Sequence, residues 1–315
     1  MIINYHQDSK IISKKMISSI EEALESAWSR ESTDPKEADN WSENNKAYGQ
    51  CAVTSVLIND LFGGRMIYDK ANFHIWNELP DGTQHDFTRS QFTNEKVFSV
   101  YKYKNREDIL YDESGRKTHI EDRYFKLKDD LPLKIIIFVT GNERKLGEAR
   151  LGCQIFDVGV EWTKLDISEI QSQIPNEISG KKAEAAFEQI DKPLVVTDTY
   201  WNIASLKGFP GGYMKDVSAW FTSEDFLNLM KGKKDRRVSF TESITYKDKK
   251  QLKVFSKEYQ GLITESPRGT GNSIENVAEF EGVTLGERRQ QGGYSHEPEE
   301  YIWYNFANWF GQNRN

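Results

Sequence analysis

A chain of 315 residues with 37% hydrophobic and 12% aromatic side chains holds enough apolar matter for about two packed domains, which excludes an intrinsically disordered protein. A net charge of −7 gives no electrostatic grip on a phosphodiester polymer, so no nucleic-acid polymer is expected as a partner. Two cysteines exclude a disulfide framework and a Cys-rich zinc site and suit a reducing cytoplasm; the start carries no basic and apolar leader, and no apolar run is long enough to span a membrane.

Apolar spacing at Ile17, Ile20, Leu24 and Ala27 predicts a helix reaching about Trp28. A polar stretch over 32–47 follows. A second helix is expected from about Cys51, carrying Val53, Val56, Leu57 and Leu61 and stopped by Phe62-Gly63-Gly64. Strands are expected at 65–68, 73–79 and 84–88, the last two joined by the tight turn Pro80-Asp81-Gly82-Thr83. Residues 111–130 are charged and polar, and a linker is placed near 126–132, dividing the chain into domains 1–128 and 129–315. Beyond it an α/β pattern begins, with strands at 134–139, 158–164, 194–197, 237–246 and 252–261. Helices are expected at 144–151, 179–190, 223–231 and 300–310.

The first domain places Cys51 at the start of an apolar helix, and a helix N-terminus favours the charged form of a thiol. His74 and Asp86 fall on successive strands, where antiparallel pairing sets a His beside an Asp. A Cys facing such a pair has the geometry of a thiol hydrolase or acyltransferase, with Gln50 as a candidate oxyanion donor. A buried structural Cys and a hairpin His is the competing reading. The ordered motifs Gly49-Gln50-Cys51-Ala52-Val53-Thr54, Phe62-Gly63-Gly64, His74-x-Trp76-Asn77 and Asp81-Gly82-Thr83-x-x-Asp86-Phe87-Thr88-x-x-Gln91-Phe92 resemble the YunG-like family. That resemblance, over about 41–92, implies a small α+β papain/transglutaminase-type domain with Cys51, His74 and Asp86 as its triad and no assigned substrate.

In the second domain an apolar strand enters the turn Thr140-Gly141-Asn142, and Lys145 follows on the first turn of a helix. Backbone N–H groups, a hydroxyl, an amide and an ammonium thereby meet at one point, an arrangement that suits a polyphosphate. The spacing fits neither the P-loop nor the dinucleotide fingerprint. Glu169, Lys182, Asp198 at a strand end, a glycine-rich loop over 208–213, Arg268, Ser295 and His296 come later. Two separated carboxylates with several cations are what a Mg²⁺–triphosphate needs. Taken singly, Glu169 and Lys182 read as solvated surface charges and Asp198 as a turn residue.

In this order they resemble the inosine triphosphate pyrophosphatase family over 134 to about 310. The resemblance is carried by Phe138-Val139-Thr140-Gly141-Asn142-x-x-Lys145-x-x-Glu148, Leu165-Asp166-Ile167-x-Glu169-Ile170-Gln171, Val195-Val196-Thr197-Asp198-Thr199, Leu206-x-Gly208-x-Pro210-Gly211-x-Tyr213, Pro267-Arg268-Gly269 and Ser295-His296. It implies a two-lobed mixed sheet, usually dimeric, that hydrolyses deaminated purine triphosphates to the monophosphate and pyrophosphate. Thr140, Asn142, Lys145 and Lys182 would hold phosphates. Arg268, Ser295 and His296 would bind the nucleotide, with His296 near the purine, and Glu169 and Asp198 would bind Mg²⁺ or orient water.

Four departures accompany the resemblance. Thr197 stands where the family carries the first of two acids, Thr270 to Asn276 lack the family's purine-stacking aromatic and its Asp, the Lys expected before Ser-His is not evident among Arg288, Arg289 and Gln290, and Glu297 replaces an Arg. The expectation is a cytoplasmic two-domain protein, a homodimer as the family resemblance implies, that binds dITP or ITP with Mg²⁺ and senses it with weak or lost hydrolysis. It would be similar in kind to the pyrophosphatase-like sensors of antiphage systems such as Kongming, which act through an effector protein. Active pyrophosphohydrolysis, a nucleotide-gated Cys51 enzyme and a purely structural assembly role are the alternatives.

Overall fold

The structure, a computed structural model, describes residues 3–4, 10–92, 96–167, 170, 172, 174–291 and 295–313, with 3, 4, 295, 296 and 313 described by backbone alone. Two compact units divide it. One comprises Lys10–Ile135 and Cys153–Glu161; the other comprises Met1–Ser9, Ile136–Gly152 and Trp162–Asn315.

Strand β1 (Ile3–Asn4) belongs to the larger unit. The smaller unit opens with α1 (Lys14–Ala27), whose N-cap Ser13 accepts the Met16 N–H at 3.1 Å and whose Met16, Ile20, Ala23, Leu24 and Ala27 form one buried stripe. Helix α2 (Cys51–Phe62) is buried from Val53 to Ile58 and again at Leu61 and Phe62, so it lies inside the unit's hydrophobic core. Strands β2 (Arg65–Asp69), β3 (His74–Glu78), β4 (Gln84–His85) and β5 (Lys102–Lys104) form an antiparallel sheet in the order β4-β3-β2-β5. The expected tight turn closes β3 onto β4: the Leu79 N–H donates to the Thr83 carbonyl at 2.8 Å, and Gly82 takes φ +87°.

The stretch expected to be polar chain and linker is instead helical. Helices α3 (Arg106–Tyr111), α4 (Glu113–Lys117) and α5 (Ile120–Asp130) occupy it. Asn105 and Asp112 cap the first two, and Ile109, Leu110, Ile120, Tyr124 and Leu127 enter the core. Few apolar side chains do this work, so the charged residues between them mask the 3.6-residue period. Arg123 is buried as well, donating to the Thr118 carbonyl at 2.9 Å.

The rest of the chain is built around a mixed sheet, most of which falls in the larger unit. Its elements are β6 (Lys134–Val139), α6 (Glu143–Gln154), β7 (Val158–Thr163), α7 (Pro175–Ile190), β8 (Leu194–Ile203), β9 (Pro210–Gly211), α8 (Met214–Trp220), α9 (Ser223–Leu229), β10 (Arg237–Lys247), β11 (Leu252–Ile263), β12 (Ala278–Phe280), β13 (Val283–Thr284), α10 (Leu285–Gln290), β14 (Ser295–His296) and α11 (Ile302–Asn313). The strand order is β13-β12-β11-β10-β8-β6-β7, with β9 added on β8; β6 pairs parallel with β8, and β8, β10, β11, β12 and β13 pair antiparallel in turn. Strand β14 pairs with β1. The protein is therefore mixed α/β. Helix α7 lays Ala183 and Ala186 on Val139, Leu194 and Val196. Helix α11 packs Trp303 edge-on to Phe138 with centroids 5.0 Å apart, and Phe310 against Tyr246 at 5.9 Å. Among the described residues no helix is long and apolar enough to cross a membrane.

Close approach of α6 to α11 depends on Gly152, where an added Cβ would lie 2.4 Å from the Trp303 Cβ. That neighbour is fixed to backbone and has no rotamer to yield. Gly152→Ala is expected to lower unfolding free energy by about 1–3 kcal/mol through overpacking, read as a fall in the urea midpoint without a change of slope.

Candidate functional site

The smaller unit brings Cys51, His74 and Asp86 together. Cys51 is the first residue of α2 and half-buried, and it lies within hydrogen-bonding reach of His74. One turn further along the same helix face, the Ser55 hydroxyl donates to the Ile75 carbonyl at 3.1 Å, and the Asn77 amide returns a bond to the Ser55 carbonyl at 3.0 Å. These two bonds lock α2 to β3 and so set Cys51 opposite His74. The His74 Nε2 lies 2.8 Å from Asp86 Oδ2, and the other Asp86 oxygen accepts the Thr88 N–H and hydroxyl, each at 3.0 Å. Phe92 and Phe98 close over the ring, with centroids at 5.0 and 4.7 Å. Burial works against an imidazolium here, but the bonds to Asp86 and Cys51 outweigh it and carry His74 to about 9. Gln50, weighed from sequence as an oxyanion donor, points its amide at the Ser29 carbonyl at 2.8 Å; it braces the approach to α2.

In the larger unit the Thr140–Asn142 turn caps α6. The Thr140 hydroxyl accepts the Asn142 N–H at 3.1 Å, and Asn142 Oδ1 accepts the Arg144 and Lys145 N–H groups at 3.0 and 3.4 Å. The β6–β8 ladder ends at Val139–Val196, two residues short of Asp198. Strand β8 itself continues to Ile203, so Asp198 lies inside a strand rather than at its end. Opposed residues of an antiparallel pair share a face. Thr197, Thr199 and Trp201 therefore face one way with Ile244, Glu242 and Phe240, and Asp198 faces the other way with Ser243. The Asp198 side is also that of Thr245, whose hydroxyl meets Ser179 of α7 at 2.8 Å, and α7 carries Lys182. Lys145 feels both faces: desolvation drives its ammonium down, the Lys182 charge adds to that, and Asp198, Glu242 and Glu148 oppose it.

On the Thr197 side lies a cavity of about 440 Å³, bordered by Arg144, Lys145 and Glu148 of α6, by Trp201, Phe240, Tyr259 and Phe280, and also by Asp198. Its volume falls in the range of small-molecule sites, roughly 300–1,000 Å³. Phe240 stacks on Tyr259 at 4.6 Å and lies 5.1 Å from Trp201, forming an aromatic floor. Glu242 was not among the residues picked out from sequence. Burial and the neighbouring Glu148 raise its carboxyl to about 7, against the pull of Lys145, Arg144 and a Tyr259 hydrogen bond. The available signal was a lone Glu at a cavity-facing position of the apolar strand pattern Ser239-Phe240-Thr241-Glu242-Ser243-Ile244.

The remaining residues lie apart from this cluster or outside what is described. Arg268 forms ion pairs with Glu279 and Glu287. Ser295 and His296 form β14 opposite Asn4 and Ile3. Glu169 and the side chains of Ser295 and His296 lie outside the described residues.

Comparison with known proteins agrees with both resemblances. Residues 136–274 match the Ham1 family, and residues 16–133 match the YunG protein family. The dITP/XTP pyrophosphatase of Methanosarcina mazei is 31% identical over 179 residues, 56% of this chain and 96% of that protein. That of Methanopyrus kandleri is 33% identical over 135 residues, 42% of this chain and 72% of its own length. The Staphylococcus aureus Ham1 protein aligns in structure with a TM-score of 0.48 and 20% identity, covering 57% of this chain and 100% of that one. The chain belongs to the Ham1 family, and it carries a YunG-type region ahead of the Ham1 region.

Because His74 is held above its ordinary value of 6.5, its stabilising contribution is complete below about pH 6.5 and is lost as pH rises through about 9. Relative to His74→Gln, the wild type is expected to lose on the order of 2–3 kcal/mol of stability between pH 6 and pH 9.5, measured by denaturant unfolding of both proteins across that range. A constant difference between the two would contradict the assigned environment.

Proposed function

We propose that the larger unit binds a deaminated purine nucleoside triphosphate such as dITP or ITP together with Mg²⁺. In this reading it is a nucleotide sensor in the cytoplasm whose hydrolysis is weak. The observation that carries the reading is the aromatic-floored cavity adjoining Lys145 at the start of α6. The base rests against Trp201, Phe240 and Tyr259, and the triphosphate reaches the Thr140–Asn142 turn, where α6 presents its first N–H groups and Lys145 its ammonium. The pyrophosphatase relatives support the choice of ligand class.

Among the described residues no three His, Cys, Asp or Glu side chains converge as a metal cage. A Mg²⁺ that arrives on a triphosphate asks for less, one or two carboxylates with the phosphates completing its shell, and Asp198 and Glu169 are the acids proposed for it. When bound, the ion neutralises phosphate charge. Lys145 holds phosphate oxygens, Lys182 assists from the α7 face, and Arg268, Ser295 and His296 complete the proposed nucleotide contacts. Thr197 in place of an acid supplies no general base, which supports binding in preference to turnover. A sensor of this kind would work as a homodimer and pass its state to an effector protein, with antiphage defence as the setting.

Titration calorimetry of dITP with Mg²⁺ into the full chain, with pyrophosphate assayed in the same samples, tests this. Saturable binding with little pyrophosphate is the expected result. Release at many turnovers per minute would make the protein an active pyrophosphohydrolase, and absence of binding would discard the nucleotide reading. Lys145→Ala is expected to weaken dITP binding roughly 10- to 100-fold, the effect of one lost charge-assisted hydrogen bond, while leaving any binding of deoxyinosine nearly unchanged.

A further inference from the structure

We propose that Cys51, His74 and Asp86 form a second, independent active site that performs acyl transfer from amides or esters bearing an apolar group beside the carbonyl. Three observations lead there. First, the cluster is a complete set: a half-exposed thiol on the first turn of a 12-residue helix, an imidazole 1% exposed within its reach, and a carboxylate 2.8 Å from the far side of that imidazole. Second, its geometry is fixed from outside by side-chain hydrogen bonds. Ser55 and Asn77 tie α2 to β3, Thr88 engages the second Asp86 oxygen, and Gln91 holds Thr88 through its carbonyl and hydroxyl at 3.0 and 3.1 Å. A merely structural cysteine requires none of this; the other cysteine, Cys153, is wholly buried in apolar surroundings that push its thiol up.

Third, the chain around the site leaves apolar surface in water. Phe73, next to His74, is 79% exposed; Val97 is 91% exposed, and Tyr101 is 58% exposed. Val97 immediately precedes Phe98, which lies against the His74 ring, and the Tyr101 ring lies 6.4 Å from Tyr68, itself within electrostatic range of Cys51. These exposed apolar side chains, on the segments that flank His74 and Phe98, are the proposed seat for an apolar acyl chain.

The chemistry closes without an added oxidant or reductant. With its proton already passed to His74, the Cys51 sulfur attacks the carbonyl carbon, and a C–S bond forms. The C–N or C–O bond breaks as the imidazolium returns that proton to the leaving amine or alcohol. Water, deprotonated by His74, then splits the thioester to a carboxylic acid and regenerates the thiol; an amine in its place yields a new amide. Asp86 is a positioning residue that holds the imidazole in orientation.

Two peptidyl fluoromethyl ketones test this, one with Phe and one with Asp next to the reactive carbonyl, applied to the full chain and followed by intact mass and peptide mapping. The expected result is one adduct, on Cys51, formed at least tenfold faster by the Phe probe. It should be absent in Cys51→Ser and slowed 100-fold or more in His74→Gln. Asp86→Asn should slow it at least tenfold, with partial recovery in Asp86→Glu. Wild-type labelling no faster than that of glutathione, or equal rates in wild type and folded His74→Gln, would overturn the proposal. Faster reaction with the Asp probe would overturn the assigned substrate class. Retention of the wild-type far-ultraviolet dichroism separates loss of chemistry from loss of fold in each variant, and the wild-type rate decides the matter even if every variant unfolds.

Discussion

The register of β8 against β10 is the constraint on which the chemistry of the larger unit rests. Side chains alternate across a sheet with a period of two, so pairing Thr199 with Glu242 and Ser243 with Asp198 assigns each carboxylate to a face. A slip of β8 by one residue against β10 would reverse the faces of its side chains, taking Thr199 away from the Glu242 side and Trp201 away from Phe240 and the aromatic floor. The ladder runs from Leu194–Lys247 to Ile203–Val238, and Leu194, Val195, Val196, Ile203, Val238, Ile244 and Tyr246 along it are buried. That burial holds the register: one step of slip would expose a full row of core residues. On the other edge of β8 the early end of β6 leaves room for the Thr140–Asn142 turn beside Asp198. Register and strand length together make the site.

A parallel logic runs through the smaller unit, with different bonds. There the sheet is short, and β4 contributes only Gln84 and His85 to it. Ladder register alone would hold Asp86 weakly. Side-chain-to-backbone bonds take over: Ser55 to Ile75, Asn77 to Ser55, and Thr88 to Asp86. Each satisfies a polar group that burial would otherwise leave at a cost of about 1–3 kcal/mol. The buried polar residues of this unit are thus the devices that align a thiol, an imidazole and a carboxylate.

Much of this was legible in the sequence where a local rule applied. The stripe of α1, the Phe62-Gly63-Gly64 stop of α2, the Pro80–Thr83 turn and the entry of β6 into a Thr-Gly-Asn cap each follow from periodicity, backbone freedom or capping chemistry. What escaped had a shared cause. Helices α3 to α5 bury few side chains among many charges, so composition outweighed period. The length of β8 was missed because Thr197-Asp198-Thr199 reads as a turn, whereas pairing to β10 holds it extended. Glu242 escaped because its one local signal, a lone Glu within a strand pattern, gains meaning only through residues far away in sequence.

Glu242 also bears on what the cavity tolerates. A carboxylate fixed in its charged form on the wall would repel a triphosphate approaching Lys145, and in a partly desolvated site that repulsion is strong. Held at about 7 instead, it is protonated in a large share of molecules at neutral pH and then donates a hydrogen bond where it would otherwise oppose an anion. Its position relative to Thr197 sharpens the point. The two share a face, with Glu242 opposite Thr199, so Glu242 lies diagonally across the ladder from Thr197. On the reading proposed above, a chain that lacks an acid at Thr197 has one a strand away, displaced toward the aromatic floor. A carboxyl so placed lies between Lys145 and the aromatic floor. In the proposed reading Glu242 serves as a polar contact for recognition, and the phosphate end is left to Lys145, Asp198 and the cap of α6.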